Sequence, residues 1–374
     1  MLTPESRLAD FPQLKDFTYL NTAAEGLPPK AVQGALATYW EHKCMGMRGR
    51  DFHFPELERC RETAARMLQR SPEEVAFCSC SSEAYNLLAS ALQLEPTDEV
   101  VISDLDFPAG ATPWLAAAKS PEVRVWGNRE GMLELEDLEG MLNEGTKLVQ
   151  VSLVSFLNGF RLEWAPFRDL VRVKAPNATL AVDITQAFGR VELDCLDADC
   201  IISSTHKWIL SLHGGCIVSI PRQKAEQLTT HAGGWYHLNN AFGPDRFERA
   251  NPNPGAASFA VGMPNFAAVY ALRAGMEYIM DVGVPAIARY ADPIVEHLHR
   301  ELSQAGFQPM APHQPGSPSG IVAFQHPQAD KIHSALLDED IHIMQQAGRL
   351  RIALHGYNQH GDIEKFLGVL RKFQ

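Results

Sequence analysis

Lys207 closes the run Ile201-Ile202-Ser203-Ser204-Thr205-His206-Lys207-Trp208, where an apolar strand passes into hydroxyl side chains and then a lysine. A lysine whose pKa is lowered by its setting forms an imine with a carbonyl compound; the plain alternative is a surface lysine after a strand. Asp183 ends the apolar run Leu180-Ala181-Val182, with Gln186 three residues on. In an α/β sheet, ligands bind at the carboxyl ends of the strands, so a carboxylate emerging from a buried strand there calls for a cationic partner. A pyridinium nitrogen, an arginine or a metal would serve, and a helix-capping aspartate is the alternative. Ser81 and Ser82 follow the strand-like Phe77-Cys78-Ser79. Hydroxyls at a helix start, beside unpaired amides, make either an anion cradle or an ordinary N-cap. Arg349 and Arg351 share one face of a strand by alternation, and an arginine fork fits a carboxylate bidentately. Asn21-Thr22-Ala23-Ala24-Glu25-Gly26 is a loop of mostly small residues that lets a ligand come close to the backbone.

These residues need elements to hold them. Apolar strand candidates near Val75 to Ser79, Val100 to Ser103, Val123 to Trp126, Leu148 to Val154, Leu180 to Asp183 and Cys200 to Ser203 alternate mostly with helical stretches. That rhythm predicts an α/β fold with a largely parallel sheet and helices on both faces. Two helices are expected before it, at Lys30 to Lys43 and Phe54 to Gln69. Asn251-Pro252-Asn253-Pro254-Gly255 breaks regular structure. Helical patterns then run from Asn265 to Asp281 and Val284 to Ala305. Strands are expected at Ile321 to Phe324, Ile341 to Gln345 and Leu350 to Leu354, with a closing helix at Asp362 to Phe373. The expected division is a large α/β domain over 17–264 and a smaller α+β domain over 265–374 with 1–16.

Composition narrows the function. The 374 residues carry 33 basic and 45 acidic side chains, a formal net charge of -12, which argues against nucleic-acid or anionic-membrane partners. Seven cysteines, odd in number and with no CxxC pair, read as thiols in a reducing, cytoplasmic compartment and leave structural zinc without support. No G-x-G-x-x-G or Walker sequence is present, so dinucleotide and triphosphate binding lack their signatures. His213, His231, Tyr236 and His237 offer acid/base groups without metal-ligand spacing, and no metal is expected.

Taken in order, the motifs resemble those of the class V aminotransferase family of fold-type I pyridoxal-phosphate enzymes, which includes cysteine desulfurases, isopenicillin N epimerase-like proteins and kynureninase. Ser81-Ser82-Glu83-Ala84-Tyr85-Asn86 looks like the family's phosphate-binding turn and Val182-Asp183-Ile184-Thr185-Gln186-Ala187 like its Asp-x-x-Gln element. Ser204-Thr205-His206-Lys207 looks like its imine-lysine motif, and Arg349-Leu350-Arg351-Ile352 with Tyr357-Asn358 like its carboxylate-binding segment. The resemblance runs from Tyr19 to the C-terminus. It implies pyridoxal 5'-phosphate held as an imine on Lys207, which also moves the Cα proton of an amino-acid substrate. It implies Asp183 against the pyridinium nitrogen, Gln186 on the phenolic oxygen, and Ser81, Ser82, Ser204 and His206 on the phosphate. Phe107 falls where the family stacks a ring on the cofactor, a core phenylalanine being the alternative. Arg351, with Arg349 as runner-up, would hold the substrate carboxylate beside Asn21 and Ala23. A homodimer is also implied.

Departures bear on the reaction. Cys80 replaces the glycine usual in the phosphate turn. Met263, in Gly262-Met263-Pro264-Asn265, lacks the hydroxyl with which relatives reach the neighbouring subunit's cofactor. Either Phe156 or Asn158 occupies the place of a ring-facing asparagine. No cysteine follows Cys216, whereas a desulfurase needs a thiol ahead of the carboxylate-binding arginine. The expectation is therefore a lyase, such as a C–S β-eliminating enzyme, or an aminotransferase-type reaction rather than persulfide formation. The alternatives are an amino-acid epimerase and a catalytically degenerate cofactor-binding member.

Overall fold

Seven strands form the central sheet of the protein, whose computed structural model describes residues 1–117, 120–316 and 318–373. In spatial order they are Val75–Cys78, Cys216–Ser219, Cys200–Ser204, Thr179–Asp183, Thr146–Ser152, Glu99–Ser103 and Glu122–Trp126. Neighbours run parallel, except that Cys216–Ser219 is antiparallel to both of its partners. The central strands are buried along their whole length, which explains why they read as continuous apolar runs.

The pleat determines where chemistry emerges. Leu180, Val182 and Ile201 pack into one apolar cluster, whereas Ala181, Cys200 and Ile202 pack into the cluster on the opposite face. Asp183, two residues beyond Ala181, follows it to that second face. There the helix Ser81–Leu92 presents Tyr85, a member of the same cluster.

Six of the seven strands lie where the sequence places them. The seventh, Cys216–Ser219, escapes the alternation of strands and helices because it returns antiparallel directly after the Gly214-Gly215 turn, without a crossover helix. The expected strand Ile341 to Gln345 is two elements. Ile341–His342 pairs in parallel with Thr18–Tyr19, while Met344–Gln346 pairs antiparallel with Arg349–Ala353. The break falls at Ile343, whose side chain stays buried in the C-terminal cluster.

Arg349–Ala353 is the middle strand of a three-stranded sheet between Met344–Gln346 and Ile321–Gln325. Helices Val284–Gln304, Ala329–Leu337 and His360–Leu370 contribute to its apolar cluster. The helix Phe266–Val282 instead sends Val269, Leu272 and Met276 into the cluster of the large sheet. It starts where Asn265 accepts a hydrogen bond from the Ala268 amide, an N-cap worth about 1 kcal/mol. Among the described residues no helix is long and apolar enough to cross a membrane.

Candidate active site

At the carboxyl ends of strands Thr146–Ser152, Thr179–Asp183 and Cys200–Ser204 lies a cleft with about 480 Å³ of atom-free space, its open mouth included. Ser81, Phe107, Phe156, Asp183, Gln186 and Lys207 are among its lining residues. A buried carboxylate is costly unless hydrogen-bonded, and Asp183 is held from two sides. Its Oδ2 accepts from the Tyr85 hydroxyl at 2.8 Å and its Oδ1 from the Thr185 amide at 2.7 Å. The Thr185 hydroxyl in turn accepts the Ser204 amide at 3.0 Å, tying the ends of the two strands together.

Lys207 sits in the loop after Cys200–Ser204. The Thr205 hydroxyl pins that loop by donating to the carbonyl oxygens of Leu212 and Gly215. Burial lowers the Lys207 amine from the usual lysine range to about 8, with Asp183 pulling the other way. A lysine so placed is partly unprotonated near neutrality, as a nucleophile or proton carrier requires. Its Nζ lies 5.4 Å from the centroid of the Phe107 ring. Phe107 is 44% exposed, which rules out the core reading of that residue. Phe156 meets it edge to face at 5.0 Å.

The structure separates Phe156 from Asn158. Phe156 lines the cleft, whereas Asn158 is buried in a turn, bonded to the Gly131 carbonyl and the Phe160 amide. Gln186 lines the cleft with both ends of its amide engaged, donating to the Ala23 carbonyl at 3.1 Å and accepting from the Trp208 indole at 2.6 Å. Ala23 thus reaches the site through its carbonyl, its side chain being buried in the main apolar cluster. Asn21 bridges to Ala353 through the backbone, and its buried Oδ1 has no hydrogen-bond partner.

Ser81 lines the cleft at the start of its helix and Ser82 is exposed beside it; Cys80, the N-cap, makes no side-chain cap hydrogen bond. The first amides of this helix therefore have no cap side chain over them, as an anion site requires. Ser204 and His206 also face the cleft. Burial, with Lys207 and His213 beside it, lowers His206 to about 4, so its imidazole is neutral at physiological pH. Met263 lines a separate cavity of about 630 Å³ that it shares with Ser79 and Glu83.

Arg351, almost fully buried, donates to the Phe156 carbonyl at 2.8 Å. Burial first, then the neighbouring Arg349, hold its guanidinium down at about 10. The histidines divide. His213 stacks on His206 with centroids 3.9 Å apart and bonds Glu25 at 2.7 Å. One ligand atom from each of Glu25, His206 and His213 lies within 4.8 Å of the others. His231, Tyr236 and His237 do not line the cleft.

Sequence reasoning missed Tyr85, Thr185 and Glu25 as members of the site. Tyr85 lies one turn into the helix opened by Ser81, so an (i, i+4) reading of that motif could have found it. Glu25 carried no such signal, because its partner His213 is remote in sequence.

Comparisons with known proteins agree with this architecture. The family model "Aminotransferase class-V" matches residues 18–366. The uncharacterized aminotransferase YcbU of Bacillus subtilis is 25% identical over 95% of this chain and 94% of its own length. A probable cysteine desulfurase of Pyrococcus abyssi is 26% identical over 100% of this chain and 98% of its own. Among solved structures, the apo cysteine desulfurase of Thermococcus onnurineus superposes with a TM-score of 0.90 at 23% identity, covering 100% and 98% of the two chains. The cystine C-S lyase C-DES, solved with its product cysteine persulfide, gives 0.88 at 19% identity, covering 96% and 99%. The chain belongs to the aminotransferase class-V family. It has the fold of type I pyridoxal-phosphate enzymes and is a pyridoxal-phosphate-dependent enzyme.

Proposed function

We propose that this enzyme removes the Cα proton of an amino-acid substrate and completes a lyase-type elimination, such as C–S cleavage, or an aminotransferase-type reaction, without forming a protein persulfide. The observation that carries the reading is the pairing of Lys207 and Asp183 across one cleft that no cysteine lines among the described residues. Bound pyridoxal phosphate supplies a carbonyl that captures amines and a ring that withdraws electrons from Cα. Asp183, fixed by Tyr85 and Thr185, would present negative charge to the ring nitrogen. Lys207 Nζ would hold the cofactor and serve as the base for the Cα proton. Ser81, Ser82, Ser204 and His206 would hold the phosphate, and Gln186 would meet the ring's oxygen. Phe107 would pack on the ring, and Arg351 would orient the substrate carboxylate, with Asn21 and Ala23 beside it.

The cysteines support elimination over sulfur relay. Cys60, Cys78, Cys195, Cys200 and Cys216 are buried, and burial raises each thiol well out of the nucleophilic range. Cys44 and Cys80 are exposed outside the cleft lining.

The same reading makes the enzyme a cytoplasmic homodimer, with exposed Trp40, Met47, Phe242 and Phe247 as apolar surface for a second copy. It divides the chain into domains 17–264 and 265–374 with 1–16, the helix Phe266–Val282 of the second packing on the large sheet.

The visible spectrum of the purified protein tests the core. A cofactor band that shifts in Lys207→Ala is expected, and a band indifferent to that change sinks the reading. Incubation with amino acids should release a keto acid in step with Cα proton exchange. A protein-bound persulfide formed from cysteine would overturn the elimination reading.

A further inference from the structure

The face of the strand Arg349–Ala353 that is turned toward Phe156 carries two buried positive charges. Arg349 is 5% exposed and Arg351 4% exposed. Among the described residues neither is ion-paired, in contrast to the fully buried Arg190, which is paired with Asp292 at 2.7 Å. The Nε atoms of both Arg349 and Arg351 are enclosed without a hydrogen-bond partner. The bonds they do make go to neutral groups: Arg349 to the Gln346 amide oxygen at 3.2 Å and Arg351 to the Phe156 carbonyl.

Both lie against one residue of the cleft wall. The Arg349 guanidinium is 5.6 Å from the centroid of the Phe156 ring, whose backbone carbonyl takes the Arg351 bond. Phe156 touches Phe107, and Phe107 lies under the Lys207 amine. The two guanidiniums thus lie behind the Phe156 wall of the cleft, Arg351 near enough to Lys207 for its charge to bear on the amine. The uncapped start of helix Ser81–Leu92, which suits the cofactor phosphate, is contributed by another part of the wall.

Two like charges buried side by side without a counterion are unfavourable unless a ligand completes them. Asp183 is matched to the ring nitrogen and Arg351 to one carboxylate, so the remaining cation has no counterpart in a neutral amino acid. We infer that the substrate is an amino acid bearing a second carboxylate on its side chain, and that Arg349 receives that group while Arg351 holds the α-carboxylate. This assignment of substrate class rests on the pyridoxal-phosphate reading.

The test uses dead-end ligands on the holoenzyme, with the cofactor band recorded first so that failure of the cofactor reading is seen separately. Succinate, glutarate and propionate are titrated calorimetrically. At least one dicarboxylate should bind about tenfold or more tighter than propionate, the value of one added charge-assisted bond. Arg349→Gln should bring the dicarboxylates to the level of propionate while leaving propionate binding in place. Arg349→Lys, which keeps the charge and loses the fork, should fall between. Cα proton exchange should favour aspartate or glutamate over alanine in the wild type and lose that preference in Arg349→Gln. Equal affinity for mono- and dicarboxylates in the wild type overturns the inference, and that measurement needs no variant to fold. Equal weakening of every ligand by Arg349→Gln overturns it too, because both arginines would then grip a single carboxylate.

Discussion

Asp183, which lines the cleft, and Arg351, behind its Phe156 wall, are both buried charges, yet the protein treats them in opposite ways. At the carboxyl end of a central strand of the large sheet the carboxylate is held from both sides: Tyr85 and Thr185 donate to it, Thr185 also receives Ser204, and Thr205 pins the lysine loop. On the three-stranded sheet the arginines keep donors to spare. The first region is organised before any substrate arrives, as electrostatic catalysis requires. The second leaves its cations for the substrate to complete, which turns binding into selection. Changes in the fastened region should therefore damage chemistry, and changes around the unpaired arginines should damage recognition.

Lys207→Ala tests the first half most severely. Loss of both attachment point and base should lower kcat by about 10³-fold or more, read as keto-acid release or Cα proton exchange. Arg351→Gln should raise KM for amino acids about 100-fold with little change in cofactor affinity, while a fall in kcat alone would erase the contrast. The pH dependence of cofactor capture by the apoprotein gives a third measure. The amine must be unprotonated to react, so the rate should rise with pH around a midpoint near 8, the value to which burial lowers Lys207. An ordinary lysine would place it near 10.4. Because the Asp183 charge raises the Lys207 pKa, Asp183→Asn should move the midpoint lower still, and an upward move would contradict that coupling. Tyr85→Phe should be the mildest, costing about 1–3 kcal/mol of stability in a thermal melt through loss of one bond to a buried carboxylate.

The charged residues of both regions were readable in the sequence, and Tyr85 and Thr185, the partners that fasten Asp183, were not. Strands buried on both faces are written as unbroken apolar runs, so the positions of Asp183 and Lys207 at their ends followed from local pattern alone. What joins distant segments was not written locally. Phe156 and Asn158 sit two residues apart in one irregular stretch, and only the fold distinguishes them, through the packing of Phe156 on Phe107 and the bonds that keep Asn158 in a turn. Cys216–Ser219 returns without a crossover helix, and so breaks the rhythm by which the other strands were read. Gln186 was expected to meet a ligand, and its bonds to Ala23 and Trp208 show it also fastening the N-terminal loop to the core.

That loop carries a consequence for how the enzyme is made. Gly26 crosses the lysine so closely that a Cβ there would lie 1.8 Å from the Lys207 carbonyl oxygen, and its amide bonds the carbonyl of His206. The same loop is fastened from the other end of the chain, through Tyr357 to Thr22 and Asn358 to the Tyr19 carbonyl. A ribosome that has finished the large sheet has therefore not yet finished the site. The lysine receives its full surroundings only once residues 357 and 358 are in place, so the site is completed by the last part of the chain to be made.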